Sequence, residues 1–534
     1  MRITNSMMTA NTKANMNINK ANEDRLNTMT ASGQKIIRPS DDPVVAIRAM
    51  RLNTSLTELE QYSGKNIPDA SAWFTDTETA LSQTDDLLSD IREKLNQASS
   101  QENVTSNVKD ILEELKQLKT QFYALGNADS AGRTVFTGYR TGEMLTFTNN
   151  DTIDYHIYEK FDFDNVQTID YVKGTHAVSK DATDATYQEE LIENTEVARI
   201  RLSYDKINVP HVPVEDGDPF VPIMTIDGTT TVTMPVKSIT GLSQADIDDI
   251  YTNVPDDEAY FIPETGEVIL GKDVVEQIRT CAKGVEVRYD KNDWQKGDLR
   301  PEHYFQCYTP KNVSPNQTDN RTYSTAYPNG IEYNFNRVDA QGNPVTSVAE
   351  TSKILGFKEQ NLTYEIAYNQ SININIHASD AYSHDIGRDI DELVNVTQLV
   401  ADSETKIANI KGSLEKAADS DKPTYEKMLA AAQKENDLLK EKMHKMYTAA
   451  ITAFKGYSDG INQQIAQVGA LTSRLDMTKN RVKDQKSNVK ILADDNINAD
   501  IAETALDFKN AQLALEAARL AAGKIANQTL LNYI

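Results

Sequence analysis

The residue types that most often perform chemistry do not fall into catalytic spacings in this chain. None of the seven histidines belongs to a His-Glu-x-x-His zinc-protease pattern. The chain also lacks a Walker phosphate loop and a Gly-x-Gly-x-x-Gly dinucleotide motif. We therefore predict no catalytic, cofactor-binding or metal-binding residues, and we expect the chain not to be an enzyme. Catalytic groups that converge from distant positions would escape this test.

Two acidic clusters and two cysteines are the remaining candidates for ligand chemistry. The clusters Glu215–Asp218 and Asp246–Asp249 lack the alternating ligands and the closing Glu of an EF-hand loop. Solvated surface charge therefore explains them better than calcium binding. Cys281 and Cys307 are too few for a disulfide framework or a four-thiolate zinc site. We interpret them as small apolar side chains, with a single disulfide as the alternative.

The composition is that of a folded, acidic protein. Its 534 residues, of which 25% are charged and 39% apolar, predict roughly three domains. The 55 Lys and Arg residues stand against 80 Asp and Glu, and the net charge of −25 would repel nucleic acid and anionic membranes. No run approaches the ~18 apolar residues of a membrane span. The sequence after Met1 lacks the apolar core of a cleaved signal peptide, so export would use another route.

The apolar periodicity of the sequence changes twice along the chain, from helical to strand-like and back to helical. From Met1 to about Tyr139, and from about Ile386 to Ile534, apolar residues recur every three or four positions, which predicts helices. Between these parts, alternating runs predict strands with one buried face: Thr152–Tyr158, Val285–Tyr289 and Ile372–Ile376. We therefore expect an α+β multidomain fold. A long antiparallel coiled-coil-like helical rod, built from both chain ends, would carry a central β-rich insertion domain.

Heptad spacing within the helical parts predicts that the helices lie side by side. The apolar residues Ile461, Val468, Leu475, Val482 and Val489 are seven positions apart, and such a period is typical of a coiled coil. Gly33 predicts the end of the first helix, and Asp42 followed by Pro43 predicts the capped start of the next. A second break at Ser420–Pro423 separates two heptad runs, which predicts a helical hairpin.

These breaks divide the chain into five expected segments. They are residues 1–42 (an N-terminal assembly helix and linker), 43–145 (the N-terminal half of the rod), 146–385 (a β-rich outer domain), 386–494 (the C-terminal half of the rod, with the hairpin inserted at about 401–446) and 495–534 (a C-terminal assembly helix).

The two chain ends carry apolar stripes that we predict to be an assembly interface. Seven Asn residues between positions 5 and 27 make the first helix marginal on its own, because Asn is a poor helix former. The first helix therefore needs a partner, and the apolar stripe of the last 34 residues offers one. We expect that this C-terminal stripe cannot be buried within a single chain, so it would face another copy or another protein. The predicted interface residues are Ile3, Met7, Ala10, Ala14, Ile18, Ile501, Ala505, Phe508, Leu515, Ala518, Ala522, Ile525, Leu530 and Leu531.

Four segments resemble the flagellin superfamily. They are Ala31–Ala46 (ASGQKIIRPSDDPVVA), Gly132–Tyr139 (GRTVFTGY), Asp495–Glu503 (DNINADIAE) and Gln528–Ile534 (QTLLNYI). Flagellins proper usually have Ala-Lys-Asp-Asp-Ala-Ala-Gly where this chain has the run around Pro39–Pro43. This difference, together with the second segment, favours the members that join the flagellar hook to the filament.

The resemblance implies a structural protein of the bacterial flagellum that is exported without a cleaved signal peptide and lies outside the cell. Its implied partners are copies of itself in a ring, the preceding hook-associated protein, flagellin and an export chaperone; nucleic acid, membrane and cofactors are not expected. Both chain ends would be disordered in the monomer and would form a coiled coil on assembly. The hairpin at about 401–446 would be an insertion that projects laterally onto neighbouring subunits.

Three other functions stay open from the sequence. A flagellin of the filament body would share the same chain ends. An enzyme displayed on the flagellum would use residues 146–380 as a catalytic domain, and an intracellular coiled-coil scaffold would have stable terminal helices as a monomer.

Overall fold

The computed structural model describes residues 5–99, 105–153, 155–176, 183–207, 222–228, 230–309, 331–333 and 361–526. The chain divides into two compact units. Unit 1 comprises Met1–Ser71, Tyr364–Ile372 and Thr472–Ile534, and unit 2 comprises Ala72–Thr363 and Asn373–Leu471. Long helices at both chain ends and antiparallel sheets between them confirm the predicted α+β fold class.

The long helices lie toward the two ends of the chain, and the short helices Gln244–Thr252 and Lys272–Thr280 lie among the strands. They are α1 (Asn5–Ser32), α2 (Pro43–Gln61), α3 (Ile67–Ser99), α4 (Thr105–Leu125), α5 (Gln244–Thr252), α6 (Lys272–Thr280), α7 (Ala378–Ala381), α8 (His384–Lys416), α9 (Lys422–Ile497) and α10 (Ile501–Ala526). A single π-helical turn, Tyr62–Asn66, connects α2 to α3.

The strands lie between α4 and α7. They are β1 (Asp129–Ser130), β2 (Arg133–Thr134), β3 (Tyr155–Phe161), β4 (Val166–Lys173), β5 (Glu193–Arg201), β6 (Ile223–Ile226), β7 (Thr230–Val232), β8 (Ala259–Ile262), β9 (Glu267–Leu270), β10 (Val285–Lys291), β11 (Gln306–Thr309), β12 (Ile331–Tyr333), β13 (Thr363–Ala367) and β14 (Gln370–Asn373). The predicted strands near residues 155 and 285 are confirmed as β3 and β10. The third predicted strand ends at Asn373, before its expected end at Ile376.

The first helix boundaries arise from local chemistry. Gly33 adopts a φ of +70°, a left-handed conformation that glycine reaches without steric cost, and it ends α1. Asp42 caps α2, because its Oδ1 accepts hydrogen bonds from the backbone N–H groups of Val44 (3.0 Å) and Val45 (3.1 Å). Both predicted boundaries are therefore confirmed.

The heptad of α9 is buried along most of its length. Ile461, Val468, Leu475 and Val482 are each at most 2% exposed, as a coiled-coil seam requires. Ile461 and Val468 lie in unit 2, and Leu475 and Val482 lie in unit 1. The apolar heptad positions of α9 are therefore buried in both units, as predicted.

Two antiparallel sheets form the core of the outer part of unit 2. The larger has the strand order β12-β11-β3-β10-β6-β7, and the smaller has the order β4-β5-β9-β8. Buried side chains from both sheets, among them Ile157, Val287, Phe261 and Val268, belong to one apolar cluster with Trp294. The sheets therefore share a single core.

A network of ion pairs joins the smaller sheet to helix α8. Arg199 on β5 donates to both carboxylate oxygens of Glu392 (2.7 and 2.9 Å), and Arg201 donates to Asp389 at 2.7 Å. Both arginine side chains are only 6% exposed, so these charges require their partners to remain buried. Removing one partner would leave an uncompensated charge between β5 and α8.

The predicted helical hairpin is present, and one of its faces packs within unit 2. Helices α8 and α9 are joined by the turn 417–421, close to the break that the sequence indicated. Buried residues of both helices, such as Ile410 and Met428, form one cluster with Val172, Tyr187 and Ile192 from the β-rich region. This face of the hairpin is therefore covered within unit 2, and the packing of the hairpin on neighbouring subunits stays a prediction.

Polar groups reinforce the contact between the hairpin and the β-rich region. Tyr187 donates a hydrogen bond to Glu435, and Lys406 lies 2.8 Å from the same carboxylate. Asn436 donates to Ser403 at 2.6 Å between the two helices of the hairpin. Since these groups are buried, each needs its partner, and together they fix one register of the hairpin.

Both cysteines are free thiols, with Cys307 buried and Cys281 partly exposed, so the alternative of a single disulfide is not supported. Among the described residues, no helix combines the length and the apolar character needed to cross a lipid bilayer.

We expect Leu439→Ala to lower the free energy of unfolding of unit 2 by about 2–5 kcal/mol, because the residue is buried in the hairpin cluster. The control is Leu399→Ala, a leucine of α8 that is 49% exposed, which should cost about 0.5 kcal/mol or less. Urea unfolding followed by tryptophan fluorescence measures both, since Trp73 and Trp294 lie in unit 2. Equal losses in the two variants would contradict the packing of the hairpin.

A buried carboxyl group makes the stability of unit 2 depend on pH. Glu159 on β3 is 1% exposed and accepts hydrogen bonds from Tyr289 and from the backbone N–H of Ser203. Burial raises the pKa of Glu159 from 4.5 to about 7. The folded chain therefore keeps a proton that the unfolded chain loses, and stability falls as the pH rises through this interval.

We expect Glu159→Gln to remove this dependence. Relative to the parent chain, the variant should gain stability as the pH is raised from about 5 to about 8. The urea midpoint at the two pH values measures the effect. If the urea midpoints of variant and parent differ by the same amount at both pH values, Glu159 is not the source of the pH dependence.

Candidate assembly interface

The two chain ends meet at a short ladder of main-chain hydrogen bonds in unit 1, which we call the terminal ladder. Lys35 N–H donates to the Ile497 carbonyl at 2.7 Å, and Ala499 N–H donates to the Gly33 carbonyl at 2.9 Å. Gln34 and Asn498 form an antiparallel bridge between these bonds. Because α1 ends where α10 begins, the two terminal helices run antiparallel and pack on one another.

Side chains next to the terminal ladder hold its flanks in place. Asp41 accepts hydrogen bonds from the N–H groups of Ile37 (3.1 Å) and Arg38 (2.8 Å), and these bonds lower the pKa of its carboxyl group. Asn496 donates to the Val45 carbonyl at 3.1 Å. Asp500 caps α10 by accepting from the N–H of Ala502 at 2.9 Å. Residues of two segments that carry the family resemblance thus build this connection.

The seam between the terminal helices follows heptad spacing on both sides. On α1 the partly or fully buried positions are Thr12, Met16, Asn19, Glu23, Leu26, Met29 and Thr30. On α10 they are Thr504, Ala505, Phe508, Ala511, Gln512, Leu515, Ala518 and Ala522. Four of these seven positions on α1 are polar, and polar residues in a coiled-coil seam reduce its stability. Among the described residues of the two helices, the fully buried apolar side chains are Leu26, Ala511 and Leu515.

A second apolar stripe on α10 faces away from this seam. Leu506, Leu513 and Leu520 lie seven positions apart, and each is more than 60% exposed. Ile501 is 62% exposed on the same helix. On α1, Met7 and Ile18 are also more than half exposed. Each terminal helix therefore presents large apolar side chains to solvent in the single chain.

The predicted interface residues fall into three groups. Met7, Ala10, Ala14, Ile18 and Ile501 are exposed, whereas Ala505, Phe508, Ala518 and Ala522 are partly buried and Leu515 is buried. The side chains of Ile3, Ile525, Leu530 and Leu531 lie outside the described part of the chain.

The expectation that the C-terminal stripe is uncovered in a single chain is therefore wrong for Leu515, which is 2% exposed beside α1. Sequence reasoning also missed Leu506, Leu513 and Leu520. Their period of seven was the signal that would have found them.

The N-terminal part of the chain is similar to a known protein family. Residues 3–141 match the N-terminal helical region of bacterial flagellin.

The chain is similar to Flagellar hook-associated protein 3 of Salmonella typhimurium, with 27% identity over 161 residues, 30% of this chain and 50% of the relative. It is also similar to Flagellar hook-associated protein 3 of Escherichia coli, with 25% identity over 142 residues, 26% of this chain and 44% of the relative. The chain thus spans half or less of the length of these relatives.

A solved structure, that of FlgL from Xanthomonas campestris, also matches. The match covers 83% of this chain and 98% of the other, with 11% identity and a TM-score of 0.29.

The seam predicts different effects for two leucines of α10. Leu515→Asp places a charge in the buried seam, so we expect α1 and α10 to separate and trypsin to cut faster at Lys20, Arg25 and Arg519. Leu513→Asp changes a leucine that is 63% exposed and should leave these rates unchanged. Limited proteolysis followed by mass spectrometry measures both. Equal protection in the two variants would mean that the seam does not hold the helices together.

Proposed function

We propose that this chain is a structural adaptor of the bacterial flagellum that joins the hook to the flagellin filament through its terminal helices. The observation that carries the proposal is the outward stripe of Leu506, Leu513 and Leu520 on a helix whose other face already packs on α1. The names of the similar proteins, which are hook-associated proteins of the flagellum, support the same conclusion.

The energetics of the terminal pair favour assembly over the isolated state. Full burial of a leucine side chain contributes roughly 1.5–3 kcal/mol, so three outward leucines supply several kcal/mol when a neighbour covers them. The seam of the pair, in contrast, contains Thr12, Asn19, Glu23 and Thr30 on α1 and gains little. In this proposal, the terminal helices of neighbouring subunits complete a core that one chain builds only in part.

The proposed partners follow from this arrangement and from the relatives. Copies of the chain would form a ring, with the preceding hook-associated protein on one side and flagellin on the other. An export chaperone would cover the outward leucines before assembly, because an exposed stripe of this kind promotes premature association. The proposed location is the extracellular flagellum, reached without a cleaved signal peptide.

A flagellin of the filament body is the second candidate, since residues 3–141 match the flagellin N-terminal region itself. The number of copies separates the two functions. A junction protein is scarce in sheared filaments, whereas a filament flagellin is the main component. Quantitative mass spectrometry of sheared flagella decides between them.

We expect Leu513→Asp to prevent incorporation into the flagellum while the monomer keeps its helical content. Cells that lack the native protein and express this variant should release it into the medium and lose motility. The matched control is Ala514→Asp, which places the same carboxylate on an exposed position of α10 beside the stripe. Immunoblots of isolated flagella and of the medium measure the distribution. Normal incorporation of Leu513→Asp would refute the role of the stripe.

A further inference from the structure

Three side chains that sequence reasoning left unused come together in unit 2. Glu143 follows β2, and Glu302 and His303 lie in the short 3₁₀ turn Pro301–His303. One ligand atom from each of these three residues lies within 4.8 Å of the other two. The backbone joins the two segments, because Arg300 N–H donates to the Leu145 carbonyl at 2.9 Å.

The imidazole of His303 is held in the orientation of a metal ligand. It is 7% exposed, and its Nε2 lies 3.1 Å from the Met144 carbonyl. A carbonyl only accepts, so Nε2 carries the hydrogen and Nδ1 carries a lone pair. Nδ1 is buried and has no hydrogen-bond partner among the described residues. Metal-bound histidines usually show this arrangement, with one ring N–H donated to a carbonyl and the other nitrogen free to bind.

The carboxylate of Glu302 is the second buried group of the cluster. It is 0% exposed, and the hydroxyl of Tyr155 donates a hydrogen bond to it. The guanidinium of Arg300 lies 2.7 Å away as an ion-pair partner. An ionised carboxylate in such a site is costly unless further positive groups coordinate it.

Glu143 completes the cluster from its more exposed side. Its Oε2 accepts from Arg140 at 2.9 Å. Two carboxylates and two guanidiniums therefore surround the neutral imidazole. The arginines offset the carboxylate charge when no cation is bound, and they compete with a cation for the same oxygens.

We propose that Glu143, Glu302 and His303 form a binding site for a divalent transition-metal ion of the zinc type. The ion would bind His303 Nδ1 and one oxygen of each carboxylate. Imidazole with carboxylate is a donor set that Zn²⁺ accepts, whereas Ca²⁺ prefers six to eight oxygens. In a tetrahedral zinc site with bonds of about 2.1 Å, ligand atoms lie about 3.4 Å apart. Small side-chain rotations would bring the three ligand atoms to this distance.

The bound ion would fasten the segment after β2 to the turn that precedes β11. These segments are distant in sequence and are otherwise joined by main-chain bonds such as that of Arg300 to Leu145.

The test is calorimetric titration of the full chain, freed of metal by a chelator, with Zn²⁺ and separately with Ca²⁺. We expect one Zn²⁺ per chain, and at least tenfold weaker binding by both Glu143→Gln and His303→Gln. The control His444→Gln changes an exposed histidine of α9 and should bind as the parent does. Zn²⁺ should also raise the melting temperature of the parent and not that of the two site variants.

Arg300→Gln distinguishes a metal site from an ion-pair network. We expect this variant to bind Zn²⁺ more tightly, because a competing cation is removed. The proposal is overturned if His303→Gln and His444→Gln bind alike, if Ca²⁺ binds as tightly as Zn²⁺, or if Arg300→Gln loses binding to the same extent as His303→Gln. Since Glu143 is partly exposed, Glu143→Gln keeps the test valid if His303→Gln does not fold.

Discussion

The interaction on which unit 1 depends is the pairing of the two chain ends at the terminal ladder. Main-chain bonds between Gly33–Lys35 and Ile497–Ala499 place the last residues of α1 beside the first residues of α10. The two segments that form these bonds are more than 460 residues apart in sequence. Main-chain bonds of this kind place few demands on side chains. The helices that extend from the ladder are therefore free to carry apolar residues on more than one face.

The two units meet the cost of buried polar groups in different ways. In unit 2, Arg199, Arg201 and Glu435 are buried with charged partners, so their positions are fixed by pairing. The seam of the terminal helices instead places polar side chains at its partly buried positions and leaves leucines outside. The first arrangement suits a rigid folded body. The second suits an element whose final core is supplied by neighbours, which agrees with the proposed adaptor function.

Much of the fold could be predicted from sequence because its signals are local. Gly33, Asp42 and Pro43 act on their own backbone, and the heptad of α9 reports burial whichever helix covers it. The residues that cover the hairpin could not be predicted, because they include Tyr187, which lies some 240 residues from Met428 in sequence. The seam of α1 was missed for a related reason. An antiparallel partner fixes which face is buried, and it covers Thr12 and Glu23 in preference to the more apolar Met7 and Ile18. Glu143 and His303 are distant in sequence, so no spacing rule joins them.

The threonines in the seam have a consequence for axial alignment. The hydroxyls of Thr12 and Thr30 donate to the carbonyls of Met8 and Leu26 on their own helix, so they require no group across the seam. Sliding α10 along α1 by one heptad would thus break few specific bonds. The side chains of the seam therefore do little to fix the register of the two helices. The alignment must be set at one end, by the bonds that Gly33 and Lys35 make. The bonds at that end therefore set the register of the whole helix pair. An insertion of even one residue there would shift every residue of α10 relative to α1.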